Sequence, residues 1–112
     1  MQGLAVMRNG KKILVGGLIL LLAGCASAGR HFNVGEVHQV GIGKTSKGDV
    51  MALFGPPWRT GIEDGRETWT YGHYKYSMFS DAKTRDLVLR FDPSGKVASY
   101  TFNSTYPEDR RP

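Results

Sequence analysis

One cysteine in 112 residues, Cys25, leaves no partner for an intramolecular disulfide, so the fold is held by packing alone. No apolar run approaches the roughly twenty residues needed to span a bilayer as a helix; the longest, residues 13–24, stops at Cys25. Gly43-Lys44-Thr45 lacks the glycine five residues upstream that a phosphate-binding loop requires, because His38 stands there. His31, His38 and His73 lack close ligand spacing, which argues against a metal site. No Ser-His-Asp set or carboxylate pair stands out, and Asp64 and Asp92 read as turn residues, so neither an enzyme nor a cofactor is expected. An Asn103-Ser104-Thr105 acceptor pattern is present and reads as incidental.

The first 24 residues have a signal's anatomy. Arg8, Lys11 and Lys12 precede the apolar stretch, and small residues precede the cut. Removing this segment leaves 88 residues, enough for one domain burying roughly 60–70% of its unfolded surface. The formal charge of +5 falls as well: with those three cations gone, 12 Lys or Arg face 10 Asp or Glu, a net +2. So even a balance gives no nucleic-acid footprint.

The rest of the chain falls into two periodicities. Residues 26–33 read as a short tether of at most roughly 28 Å. Val34, Val37 and Val40 recur every three residues and predict a short helix, which Gly41-Ile42-Gly43-Lys44 ends, with Ile42 placed to plug the gap before the next. Ser46 and Asp49 have capping-box spacing ahead of Val50, Leu53 and Phe54, and Gly55-Pro56-Pro57 stops that helix. From Trp58 the period is two. An Asp64-Gly65 turn joins a short strand near 58–62 to a longer one over 66–76, with Glu67, Trp69 and Tyr71 on one face and Thr68, Thr70, Tyr74 and Tyr76 on the other. Residues 77–85 read as a loop, Leu87, Leu89 and Phe91 as a strand's buried face, Asp92-Pro93-Ser94-Gly95 as a turn and 96–103 as the last strand. The expectation is an α+β fold: two short helices packed on a three-stranded antiparallel meander, with a short extra strand available at 58–62 and a frayed tail over 104–112.

Leu22-Ala23-Gly24-Cys25 resembles the lipobox of bacterial lipoproteins. The resemblance implies cleavage before Cys25, acylation of its sulfur and new amine, and, with Ala26 in place of an Asp, delivery to the periplasmic face of the outer membrane. Further on, Ile42-Gly43-Lys44-Thr45-Ser46 before Asp49-Val50, Leu53-Phe54-Gly55-Pro56-Pro57, Thr68-Trp69-Thr70-Tyr71, Leu87-Val88-Leu89-Arg90-Phe91 and Gly95-Lys96-Val97 together resemble the SmpA/OmlA (BamE-like) lipoprotein family. The resemblance covers roughly residues 32–103, and the chain divides into a signal at 1–24, a lipidated tether at 25–33, the domain at 34–103 and a C-terminal tail at 104–112. The resemblance implies a non-enzymatic, outer-membrane-anchored component of β-barrel protein assembly or envelope integrity.

The connection after Tyr71 departs from the family pattern, and its Tyr74, Tyr76, Met78 and Phe79 form the candidate partner-binding surface. Lys44, Lys47, Arg59 and Arg66 are a candidate face for anionic lipid head groups, set against a reading as ordinary solvated surface. The alternative is an inhibitor-like module for a periplasmic hydrolase, since a similar helix-pair-on-sheet domain occurs in β-lactamase inhibitory proteins. A hydrolase using Asp64, Asp81 or His73 is the third reading.

Overall fold

The structure, a computed structural model, describes residues 25–110. The segment read as a signal peptide, residues 1–24, lies outside the described residues. The domain is mostly β, which corrects the expected α+β arrangement of two helices on a three-stranded meander. Five antiparallel strands form one sheet: β1 (Cys25–Gly29), β2 (Arg59–Glu63), β3 (Arg66–Ser77), β4 (Lys83–Phe91) and β5 (Val97–Ser104). One α-helix, α1 (Lys47–Phe54), lies between β1 and β2 in the chain.

The first expected helix is a 3₁₀ segment, Val34–Gln39. A spacing of three is the period of a 3₁₀ helix, so the tightened backbone sets Val34, Val37 and Val40 in one row. Gly35 and the lack of a side-chain cap from Asn33 leave nothing to favour a longer α-helix. In α1 the capping box forms as expected, with Ser46 Oγ accepting from the Asp49 amide at 3.1 Å and Asp49 Oδ2 accepting from the Ser46 amide at 3.0 Å. Between these elements Ile42 is 54% exposed and plugs nothing. Thr45 fills that place, buried, its hydroxyl accepting from the Gly41 amide at 2.7 Å.

Strand β3 is the spine, longer than its neighbours and paired along both sides. On one side runs β4, with Trp69 opposite Leu89 and Tyr71 opposite Leu87. On the other, two short strands lie end to end: β2 covers residues 66–70 of β3 and β1 covers residues 73–77. The β2–β3 connection is the tight Asp64-Gly65 hairpin, both residues at positive φ (51° and 76°) as a type I′ turn requires. The β4–β5 turn is tied by Asp92, whose Oδ1 accepts from the Ser94 and Lys96 amides and the Ser94 hydroxyl. These bonds, the Ser94 hydroxyl's first, hold the Asp92 carboxyl below the usual range.

The core lies on one face of the sheet. Trp69, Tyr71, Leu87, Leu89, Phe91 and Val97 pack against Val37, Val40 and Val50, with Phe32, Phe54, Tyr100 and Phe102 around them. Tyr71 donates its hydroxyl to the Gly55 carbonyl at 2.8 Å, pinning the end of α1 to the sheet. Burial pushes its phenol up to about 12. The C-terminal segment, expected to fray, is docked: Pro107–Arg110 forms a 3₁₀ turn and Arg85 holds the Asp109 carboxylate through two nitrogens, at 2.5 and 3.1 Å. Tyr106 stacks on the same guanidinium at 3.8 Å.

Candidate functional site

Residues 25–33, read as a tether, begin with a strand. Cys25 stands opposite Ser77, Ala26 opposite Tyr76 and Gly29 opposite His73. All but Gly29 of these five residues are exposed, so β1 adds backbone pairing and almost no core. Gly29 makes the pairing possible: φ is +82°, and a Cβ there would lie 2.1 Å from the Gly72 carbonyl oxygen. The next amide, of Arg30, donates to that carbonyl at 2.8 Å, and the Arg30 guanidinium reaches the Pro56 and Pro57 carbonyls at 3.3 and 2.9 Å. The chain is thus clamped to mid-β3 where it leaves for the core.

The strand places an exposed Cys25 at the tip of the β3–β4 hairpin. The hairpin loop, residues 78–82, carries Met78 and Phe79, which are 77% and 92% exposed. Phe79 is held by its amide, which donates to Ser77 Oγ at 3.3 Å. The four expected partner-binding residues therefore divide. Tyr76, Met78 and Phe79 are exposed at the tip, whereas Tyr74 is half-buried on the sheet face away from the core. Its ring lies 5.6 Å from Trp58 and its hydroxyl donates to Asp86 at 3.3 Å. Burial first, and the Asp86 carboxylate second, raise its pKa above 10.0.

Next to Tyr74 the outer face carries a groove lined by Ala28, Trp58, Arg59, Tyr74 and Tyr76, with the Arg59 guanidinium 4.3 Å from the Trp58 ring centre. Trp, Tyr and Arg are the side chains that most often dominate protein interfaces. Strand alternation places both tyrosines on this face, whereas Trp58, half-buried, joins them only where β1 and β2 meet end to end. No local pattern reports that junction.

The other expected sites are scattered. Lys47 is engaged by Glu67 at 3.2 Å and lies 5.5 Å from the Phe91 ring centre, Arg59 covers Trp58, and Arg66 stands beside the β2–β3 turn, so these cations do not make one anionic-lipid face. Arg66 begins β3 and Ser77 ends it, a separation of about 36 Å at the usual rise. A lipid-binding patch at Arg66, Lys44 and Lys47 would sit at the opposite end of the domain from Cys25. Asp64 occupies its turn, and Asp81 lies in the hairpin loop well apart from it.

His38 is exposed, whereas His31 and His73 stack at 3.7 Å between ring centres. Burial, then the neighbouring His31, Arg85 and Lys75, lower the His73 pKa below 6.5. Its Nδ1 is buried without a hydrogen-bond partner. Among the described residues no group of three or more His, Cys, Asp or Glu is placed to hold a metal ion.

No family model, no curated protein and no solved structure matches this chain.

Proposed function

We propose that this chain is a lipoprotein of the outer membrane, anchored through Cys25 with its domain in the periplasm, and that it acts by binding protein in β-barrel assembly or envelope integrity. The observation that carries this reading is the placement of Cys25. The residue that the lipobox resemblance marks for acylation begins a strand that ends beside the Trp58, Arg59, Tyr74 and Tyr76 groove. Acyl chains on Cys25 would hold that groove within a few rungs of the bilayer. Two or more chains give stable attachment, where one is only marginal.

Confinement then raises the effective concentration of the groove toward membrane-embedded partners, so modest contacts suffice. The domain adds no chemistry in this reading. It supplies a rigid aromatic and cationic surface at a fixed height. The relationship to the SmpA/OmlA family belongs to the same proposal and is supported by the lipobox and the order of sequence blocks.

Two measurements test it. Cells fed labelled palmitate should label the chain, and Cys25→Ser should abolish both the label and membrane retention; an unlabelled chain would overturn the anchor. Photocrosslinkers at Arg59 and Tyr76 in living cells should capture barrel-assembly components. Capture of a single soluble hydrolase would instead favour the inhibitor-like alternative.

A further inference from the structure

Beyond Tyr76, which it shares with the protein-binding groove, the hairpin tip presents side chains that the groove does not use. Phe79 and Met78 are the two most exposed large apolar side chains around Cys25, and neither packs on the core. They follow Ser77, the partner of Cys25, directly in the chain. Paired residues on antiparallel strands lie about 5 Å apart, and each further residue advances about 3.3 Å. The two side chains therefore project just past the level of the Cys25 sulfur. This is the depth at which apolar residues of interfacial segments seat, about 5–10 Å into the boundary between head groups and acyl chains.

The rung behind them is cationic. Lys75 stands opposite Lys83 in the β3–β4 register, an arrangement that is unfavourable between like charges unless an anion lies nearby. Neither lysine forms an ion pair among the described residues, though Lys83 Nζ is 5.8 Å from the Tyr106 ring centre. Asp81 lines one hollow with both lysines and is the one acid from Tyr74 to Lys83, so it offsets one of the two charges and the tip keeps a net positive charge. Tyr76, 50% exposed, sits between the cationic rung and the apolar tip, where aromatic side chains gather at membrane surfaces. From the body outward the order is lysine, tyrosine, then methionine and phenylalanine. A phospholipid surface presents the complementary order of phosphate, interface and hydrocarbon.

We propose that the β3–β4 hairpin tip is a second membrane contact: Met78 and Phe79 enter the bilayer next to the acylated Cys25, and Lys75 and Lys83 meet lipid phosphates. The inference rests on the acyl-anchor reading above and extends it. A lipid on Cys25 alone lets a domain swivel about one point. The tip supplies the second point, so the domain stands on its hairpin end with the groove facing sideways above the head groups. The same geometry moves the lipid-facing cations from Lys44, Lys47, Arg59 and Arg66 to Lys75 and Lys83.

The test uses the mature acylated protein carrying Phe79→Trp, reconstituted in phosphatidylethanolamine–phosphatidylglycerol vesicles, with the wild-type emission of Trp58 and Trp69 subtracted. Phe79 is exposed in a loop, so the change leaves the core untouched. The expected result is a blue-shifted indole, quenched by lipids brominated on their acyl chains and protected from aqueous iodide. Adding Lys75→Glu and Lys83→Glu should weaken the quenching. An indole as open to iodide with vesicles as without them overturns the proposal, and so does one shielded only when outer-membrane proteins are added, which would assign the tip to a protein interface. Palmitate labelling of the same sample separates the two claims. Unlabelled protein refutes the anchor, whereas a water-exposed indole in labelled protein refutes the tip contact alone.

Discussion

Gly29→Ala should release β1 without unfolding the domain. The new Cβ would lie 2.1 Å from the Gly72 carbonyl oxygen, and both close neighbours are backbone, which cannot rotate away. Reaching the 3.0 Å floor of real Cβ contacts opens the strand pair by about 0.9 Å. If the neighbouring Arg30–Gly72 bond of 2.8 Å lengthens equally, it reaches about 3.7 Å and is lost. Holding alanine at a left-handed φ adds roughly 1–2 kcal/mol. Against this stand only the ladder bonds of a five-residue exposed strand, each contributing a net of about 0.5–1.5 kcal/mol. Detachment of β1 is the cheaper outcome, and none of the core residues lies on it.

Hydrogen exchange is the assay that sees this. Amides of residues 26–30, and those of residues 73–77 that face β1, should lose protection, while Trp69, Leu87 and Leu89 keep theirs. The urea midpoint should fall by the equivalent of about 1–3 kcal/mol at most. Gly72→Ala is the contrast, because its Cβ meets the Tyr74 ring and not backbone, so it should shift Tyr74 and spare β1. Wild-type protection at residues 26–30 in Gly29→Ala would refute the pairing.

Further outcomes follow from the core and the caps. Leu89→Ala removes a fully buried side chain opposite Trp69 and should cost about 2–5 kcal/mol in chemical denaturation. Tyr71→Phe deprives the Gly55 carbonyl of its donor, and a loss of about 1–2 kcal/mol is expected by the same measurement. Ser46→Ala breaks the capping box and should cost about 1 kcal/mol, with faster amide exchange confined to the first turn of α1. His73 is disfavoured as a cation in the fold, so the unfolded chain takes up its proton first; its contribution is complete above pH 6.5 and is lost as pH falls below that value. Unfolding followed between pH 7.5 and 5 should show this decline, and His73→Gln should flatten it.

What could be read from the chain was local. Ser46 with Asp49, Asp64 with Gly65, and Asp92 through Gly95 each carry their geometry within a few residues, and the alternation at Leu87, Leu89 and Phe91 reports one buried face. The same alternation assigned Trp69 and Tyr71 to the core and Tyr74 and Tyr76 to the other side. Residues 34–40 are ambiguous in sequence because a valine every third position suits an α stripe and a 3₁₀ row alike, and six residues with a glycine cannot sustain the former. Strand β1 left no trace at all. Cys-Ala-Ser-Ala-Gly has neither alternation nor β-branched residues, its side chains stay in solvent, and its partner lies some fifty residues downstream. The docked tail was hidden for a similar reason: Arg85 and Asp109 are 24 positions apart.

That unnoticed strand also acts as a shield. Between His73 and Ser77 one side of β3 is closed only by the residues nearest the proposed lipid attachment. Pulling Cys25 away would bare a row of amides and carbonyls at the bilayer surface, where a neighbouring chain's strand could take the vacated place. Two copies on one membrane could then trade these pieces and lose no ladder bond, coupling how the protein is moored to whether it stays solitary.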